Sequence, residues 1–157
     1  MNQIKQNILR HVEEIGWSIM SAAPRADSLE PREWWSYTIG LPTTFGWPEI
    51  IIFGLKSDVA RDLLNDLVFA CRDKKINPQP NVMIDDVVRD FPIKLVDGSH
   101  IPQHYLNYAR WFAEQKNGNL PVDCLQFVWT DKSGYFPDED SCNPDVRLCQ
   151  MPLEGYQ

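Results

Sequence analysis

The stretch from Trp34 to Leu55, WWSYTIGLPTTFGWPEIIIFGL, constrains the fold more than any other part of this chain. Two β-rich runs flank a turn region punctuated by Gly40, Pro42, Gly46 and Pro48, residues that free or fix φ and so interrupt regular structure. In the first run Trp35, Tyr37 and Ile39 alternate with Trp34, Ser36 and Thr38, the period of a strand with two different faces. The second run enters at Glu49 and continues Ile50-Ile51-Ile52-Phe53, as a strand covered on both faces should. Together they predict a sheet core in the first third of the chain. Neither run names a reaction.

The segments around this pair extend the same pattern. Ile4, Ile8, Val12 and Ile15, with Leu9 beside them, form a helical stripe that Gly16 stops. Trp17–Ala22 alternates as a strand, and the polar, proline-flanked segment Pro24–Glu33 reads as a surface loop. The intervals between these three strands are too short for crossover helices, which predicts an antiparallel meander. Ser57 as cap and Asp58 at the positive end open the next helix. Its stripe is Val59, Ala60, Leu63, Leu64, Leu67, Val68 and Cys71, and Arg72, Lys74 and Lys75 suit its negative end. Val82–Val88 and Phe91–Val96, joined through Arg89-Asp90, predict a hairpin. A third helix is expected from about Ile101 to Lys116, followed by a strand at Cys124–Trp129 and a turn at Asp131–Gly134. From about Asp138 onward the acidic tail is expected to be irregular. The expectation is one α+β domain over residues 1–157, a mostly antiparallel sheet of about six strands with three helices packed against it.

Charge narrows the choice of partner. The chain carries 22 acidic and 15 basic side chains, a net −7, and Lys74-Lys75 is its only adjacent Lys/Arg pair. Such a surface repels phosphate backbones, which argues against nucleic acid and for a neutral or basic partner. No apolar run approaches the ~18 residues that cross a bilayer, and the start of the chain has no signal-peptide apolar core, so the expectation is a cytoplasmic protein without a membrane. The four cysteines include no C-x-x-C pair and should be free thiols, although Cys142 and Cys149 lie close enough in sequence to pair on oxidation.

No motif of established chemistry is complete. His100 and His104 have the i, i+4 spacing of a metal pair, with Asp97 upstream, but the helix is expected to begin only near His100 and no third ligand follows. They read as an exposed pair, and no cofactor is expected. The run Asp138–Asp145 lacks the glycine and the terminal carboxylate of a calcium loop and reads as a solvated acidic loop. Neither a nucleophile elbow nor a phosphate-cradling glycine loop occurs. Gln126, on an otherwise apolar strand, and Thr38 each require a hydrogen-bond partner or a ligand. Glu49, at the mouth of the buried strand, must lie at an edge, be paired, or carry a raised pKa.

Several pieces taken in order resemble a bacterial family known only as domain-of-unknown-function family 4262. They are Gly16-Trp17, Tyr37–Leu41, Pro48-Glu49 with Gly54-Leu55, Leu63-Leu64-Asn65, Phe91–Ile93, and Leu125–Trp129 through Asp131, Gly134 and Phe136-Pro137. The resemblance runs from about Gly16 to Pro137. It implies a compact α+β domain in a bacterial cytosol and brings no activity or cofactor with it. Thr38, Glu49, Gln126, Trp129 and Asp131 coincide with the family's signature positions.

Two functions of different class follow. The first is a non-enzymatic acidic domain that binds a protein partner, such as an immunity protein or antitoxin whose charge attracts a basic toxin. Its contact residues would be Trp34, Trp35, Trp47, Thr38, Gln126 and Trp129, with Asp138 and Asp140 among the acidic loops; exposed tryptophans would also suit a homodimer. The second is a small-molecule or peptide-modifying enzyme with a pocket around Tyr37, Glu49 and Gln126, Glu49 or Asp131 acting as acid/base.

Overall fold

A computed structural model describes residues 1–25, 27 and 33–150. Most of the expected loop between Pro24 and Glu33, and the end of the tail from 151 to 157, lie outside the described residues. Helix α1 (Gln3–Glu14) starts at Asn2, whose side chain accepts from the Lys5 N–H at 2.8 Å, and leads into β1 (Ser18–Ala22). Strands β2 (Trp35–Ile39) and β3 (Glu49–Phe53) follow, separated by a short helix α2 (Leu41–Phe45). Helix α3 (Ser57–Lys74) precedes the hairpin β4 (Val82–Val88) and β5 (Phe91–Asp97). A 3-10 turn (Gln103–Leu106) runs into α4 (Asn107–Gln115), then β6 (Cys124–Val128) and α5 (Pro144–Cys149) complete the order.

The six strands form one sheet in the order β1-β2-β3-β6-β5-β4, antiparallel except where β3 and β6 run parallel. The first three strands are the meander that their short connections require. Helix α3 covers one face, packing Leu64, Leu67 and Val68 on Ile50, Ile52, Leu95 and Phe127. Helices α1 and α4 cover the other, bringing Ile8, Ala109 and Phe112 onto Ile39, Ile51 and Phe53. This is why β3 is apolar at successive positions: neighbouring side chains enter different cores. Each fully buried leucine or isoleucine contributes about 1.5–3 kcal/mol.

Three local expectations change. The third helix is α-helical only from Asn107, because Asp97 accepts from Ser99 N and Ser99 Oγ and closes a turn, and Pro102 then holds the chain extended. Ser57 is the first residue inside α3, so it cannot cap it, and Lys56 occupies the capping position. The tail after Asp138 is not wholly irregular: Asn143 Oδ1 accepts from Asp145 N at 2.8 Å and starts α5, with Pro144 in its first turn. Among the described residues no helix is long and apolar enough to cross a membrane.

Candidate functional site

The carboxylate of Glu49 lies where β2 ends and the chain turns into α2. Gly40 adopts φ +102, which aims its own N–H and that of Leu41 at Glu49. Oε2 accepts from Gly40 N at 2.8 Å; Oε1 accepts from Leu41 N at 3.2 Å and from Thr38 Oγ1 at 2.9 Å. Thr38 Oγ1 accepts in turn from Ile50 N at 2.9 Å. Glu49 thus supplies the acceptor at the start of α2 that the Gly40 cap, having no side chain, cannot. Thr38 and Glu49 are both buried and satisfy one another.

Burial pushes the Glu49 carboxyl up from the usual 4.5 to about 7, against the pull of the Gly40, Thr38 and Leu41 donors. Its folded pKa lies above that of the unfolded chain, so ionisation opposes folding. The contribution of this group is therefore fully present below pH 4.5 and is lost as pH rises through about 7. We expect stability to fall by about 3 kcal/mol across that window, and Glu49→Gln to flatten the decline. Urea unfolding at half-unit pH steps checks this; equal slopes for both proteins would contradict it.

Glu49 also lines a cavity of about 220 Å³, together with Trp47, Phe112, Pro121, Val122 and Asp123. That is smaller than the ~300–1,000 Å³ of most small-molecule sites. A carboxyl of this kind can exchange a proton near neutrality, but three donors already occupy its oxygens.

The other groups of the proposed enzyme pocket are used elsewhere. Tyr37 Oη accepts from Tyr108 N at 3.1 Å at the start of α4, and burial pushes its hydroxyl up to about 12. Gln126 is fully buried in mid-strand, in register with Ile51 and Val96. Asp131 lies beyond the end of β6, whereas Glu49 is at the start of β3, level with Cys124. The two carboxylates are therefore separated by the length of a five-residue strand, about 16 Å. Asp131 Oδ1 accepts from Ser133 N and Tyr135 N, both at 2.9 Å, and Oδ2 from Asn143 N at 2.8 Å. The N–H groups of Tyr135 and Asn143 hold this carboxyl below the usual carboxylate range. It organises the loop that carries Asp138 and Asp140, both exposed.

The tryptophans do not form one face. Trp35 pairs with Phe53 and donates to Tyr105 O at 3.0 Å; Trp129 donates to Phe53 O at 3.0 Å; Trp34 precedes β2 at the same end of the sheet. Trp47 precedes β3 at the opposite end and stacks on Phe45, ring centroids 4.2 Å apart. The antiparallel meander expected from the sequence already separates Trp34 and Trp47; what it does not fix is the end at which Trp129 lies, which the β3–β6 pairing sets.

His100 stands in the turn before the 3-10 helix and His104 within it, so they do not share an α-helical face; His104 stacks on Tyr105 at 4.5 Å. Among the described residues no group of three or more His, Cys, Asp or Glu is placed to hold a metal. The four cysteines form no disulfide, and burial pushes the Cys71 thiol up to about 11 and Cys124 up to about 12, far from thiolate formation at neutral pH.

Two glutamines had no sequence signal. Gln150 matches the main chain of Trp129 with both ends of its amide, donating to its O at 2.9 Å and accepting from its N at 3.2 Å. Gln103 does the same for Val122, at 3.0 and 2.8 Å. Amides of this kind replace strand partners and follow no periodicity.

Comparison with known proteins returns one family. The model described as Domain of unknown function (DUF4262) matches residues 11–143. No curated protein and no solved structure matches the chain.

Proposed function

The chain belongs to the domain-of-unknown-function family 4262, and from that premise we propose that it is a non-enzymatic acidic domain that binds a protein partner. The observation that carries this reading is the gathering of charge and indole at one end of the sheet. The β1–β2 connection, the β3–α3 connection and the segment after β6 all leave from that end. Glu33 and Asp58 stand at that end with the half-buried Trp34, and the half-buried Trp129 there leads into the segment that carries the exposed Asp138 and Asp140. Acidic groups outnumber basic ones there, and aromatic anchors inside a charged rim are what protein interfaces use. The carboxylates a reaction would need are occupied by backbone donors at Gly40, Leu41, Ser133, Tyr135 and Asn143.

A basic protein is the partner this charge selects. A toxin held by an immunity protein or antitoxin in a bacterial cytoplasm is the form of the reading we favour. The test is to isolate the partner with the tagged domain from its host and measure association by surface plasmon resonance across salt. The on-rate should fall steeply with ionic strength, and Asp138→Lys with Asp140→Lys should lower it about 10-fold. An on-rate indifferent to salt and to both substitutions would refute the proposal.

A further inference from the structure

The two edges of the sheet are built differently. Strand β4 is blunted as edge strands usually are: Asp85 and Asp86 are exposed, Lys74 Nζ pairs with Asp86 Oδ2 at 2.7 Å, and the register shifts between Ile84 and Val88. Strand β1, Ser-Ile-Met-Ser-Ala, has no charge, no proline and an unbroken register with β2. It lies at the floor of an open groove of about 500 Å³, with α1 as one wall and the first turns of α3 as the other. Arg61 Nη2 donates to Ile19 O at 3.4 Å, so that carbonyl points away from β2 and into the groove, and the main chain of Ser21, two residues on, faces the same way. An added strand would take over this long bond from the exposed Arg61.

We infer that the groove beside β1 takes an extended segment of a protein partner as a seventh strand, apolar residues toward α1 and basic residues toward α3. The inference rests on the protein-binding reading and assigns it a site. Side chains on the added strand would alternate between the two walls. One wall presents the exposed Ile4 with the half-buried Asn7 and His11 over the core residue Ile8; on the other Asp58 and Asp62 outweigh Arg61, in a chain of net charge −7. A second copy does not suit the groove, because its own β1, Ser-Ile-Met-Ser-Ala, carries no basic residue to set against Asp58 and Asp62.

The test uses capped hexapeptides and the full chain, followed by isothermal titration calorimetry. A peptide alternating lysine and valine should bind, and one alternating glutamate and valine should bind at least about 10-fold more weakly. N-methylation of one alternate set of its amides should abolish binding while methylation of the other set spares it, since only one set faces β1. Asp58→Lys with Asp62→Lys should reverse the charge preference. The proposal is overturned if no peptide binds, if both methylated sets bind equally, or if the double substitution changes nothing. It is also overturned if the free chain sediments as a dimer that the peptides leave intact and the double substitution breaks. Failure here with the partner still bound through Asp138 and Asp140 removes the edge site alone. Loss of the salt-sensitive partner removes the wider reading.

Discussion

Glu49→Ala will destabilise the fold by about 4 kcal/mol at pH 5, and by less as the pH rises through 7. The substitution removes the acceptor from two buried backbone N–H groups and from the Thr38 hydroxyl at once. A buried donor left without a partner costs about 1–3 kcal/mol, and a methyl group cannot refill the space. The narrowing with pH follows from burial: the wild-type carboxyl ionises at a cost near pH 7, a cost the alanine variant does not carry. Glu49→Gln keeps one acceptor and should lose roughly 1–2 kcal/mol. Urea unfolding of the three proteins at pH 5 and pH 8 measures all of this. A Glu49→Ala variant as stable as the parent at pH 5 would mean that the carboxylate is held for another purpose.

The second large effect falls on the neighbouring residue. Gly40→Ala should cost about 3 kcal/mol, from two sources. A φ of +102 strains any L side chain by about 1–3 kcal/mol. The added Cβ would also stand 2.9 Å from Val12 Cγ2 and 3.1 Å from Val12 Cγ1, pressing α1 off the sheet. Gly46→Ala is the control, because Gly46 has φ +76 and nothing within 4 Å of its added Cβ, so it carries the strain without the clash. Equal losses at the two positions in thermal unfolding would show that the packing of α1 against the turn at Gly40 contributes nothing.

These two residues show what local pattern reveals and what it conceals. The strands and α3 were legible because alternation and the i, i+3, i+4 stripe report how each segment meets its core. Glu49 was legible as a problem: a carboxylate entering an apolar strand had to be at an edge, paired, or raised in pKa, and it proves paired to donors and raised together. Its solution was not legible, since the donors come from a turn whose geometry depends on Gly40. Likewise nothing local indicates that β3 pairs in parallel with β6, which α3, β4, β5 and α4 separate in sequence. That pairing sends Asp131 and Glu49 to opposite ends and puts Trp129 at the end away from Trp47, whereas Trp34 and Trp47 are already divided by the antiparallel pairing of β2 and β3. Helix α5 escaped notice because it is short and its buried anchor, Gln150, bonds to the main chain of Trp129 without any hydrophobic period.

The most direct test is amide hydrogen exchange on the domain alone and on its complex with the partner isolated from the host. Slower exchange is expected at residues 33–35, at the first turns of α3 and through 129–145, where the acidic loops and indoles meet. Slowing confined to the opposite end, around Trp47, Glu49 and residues 118–123, would contradict a protein-binding face there and favour a ligand in the Glu49 cavity.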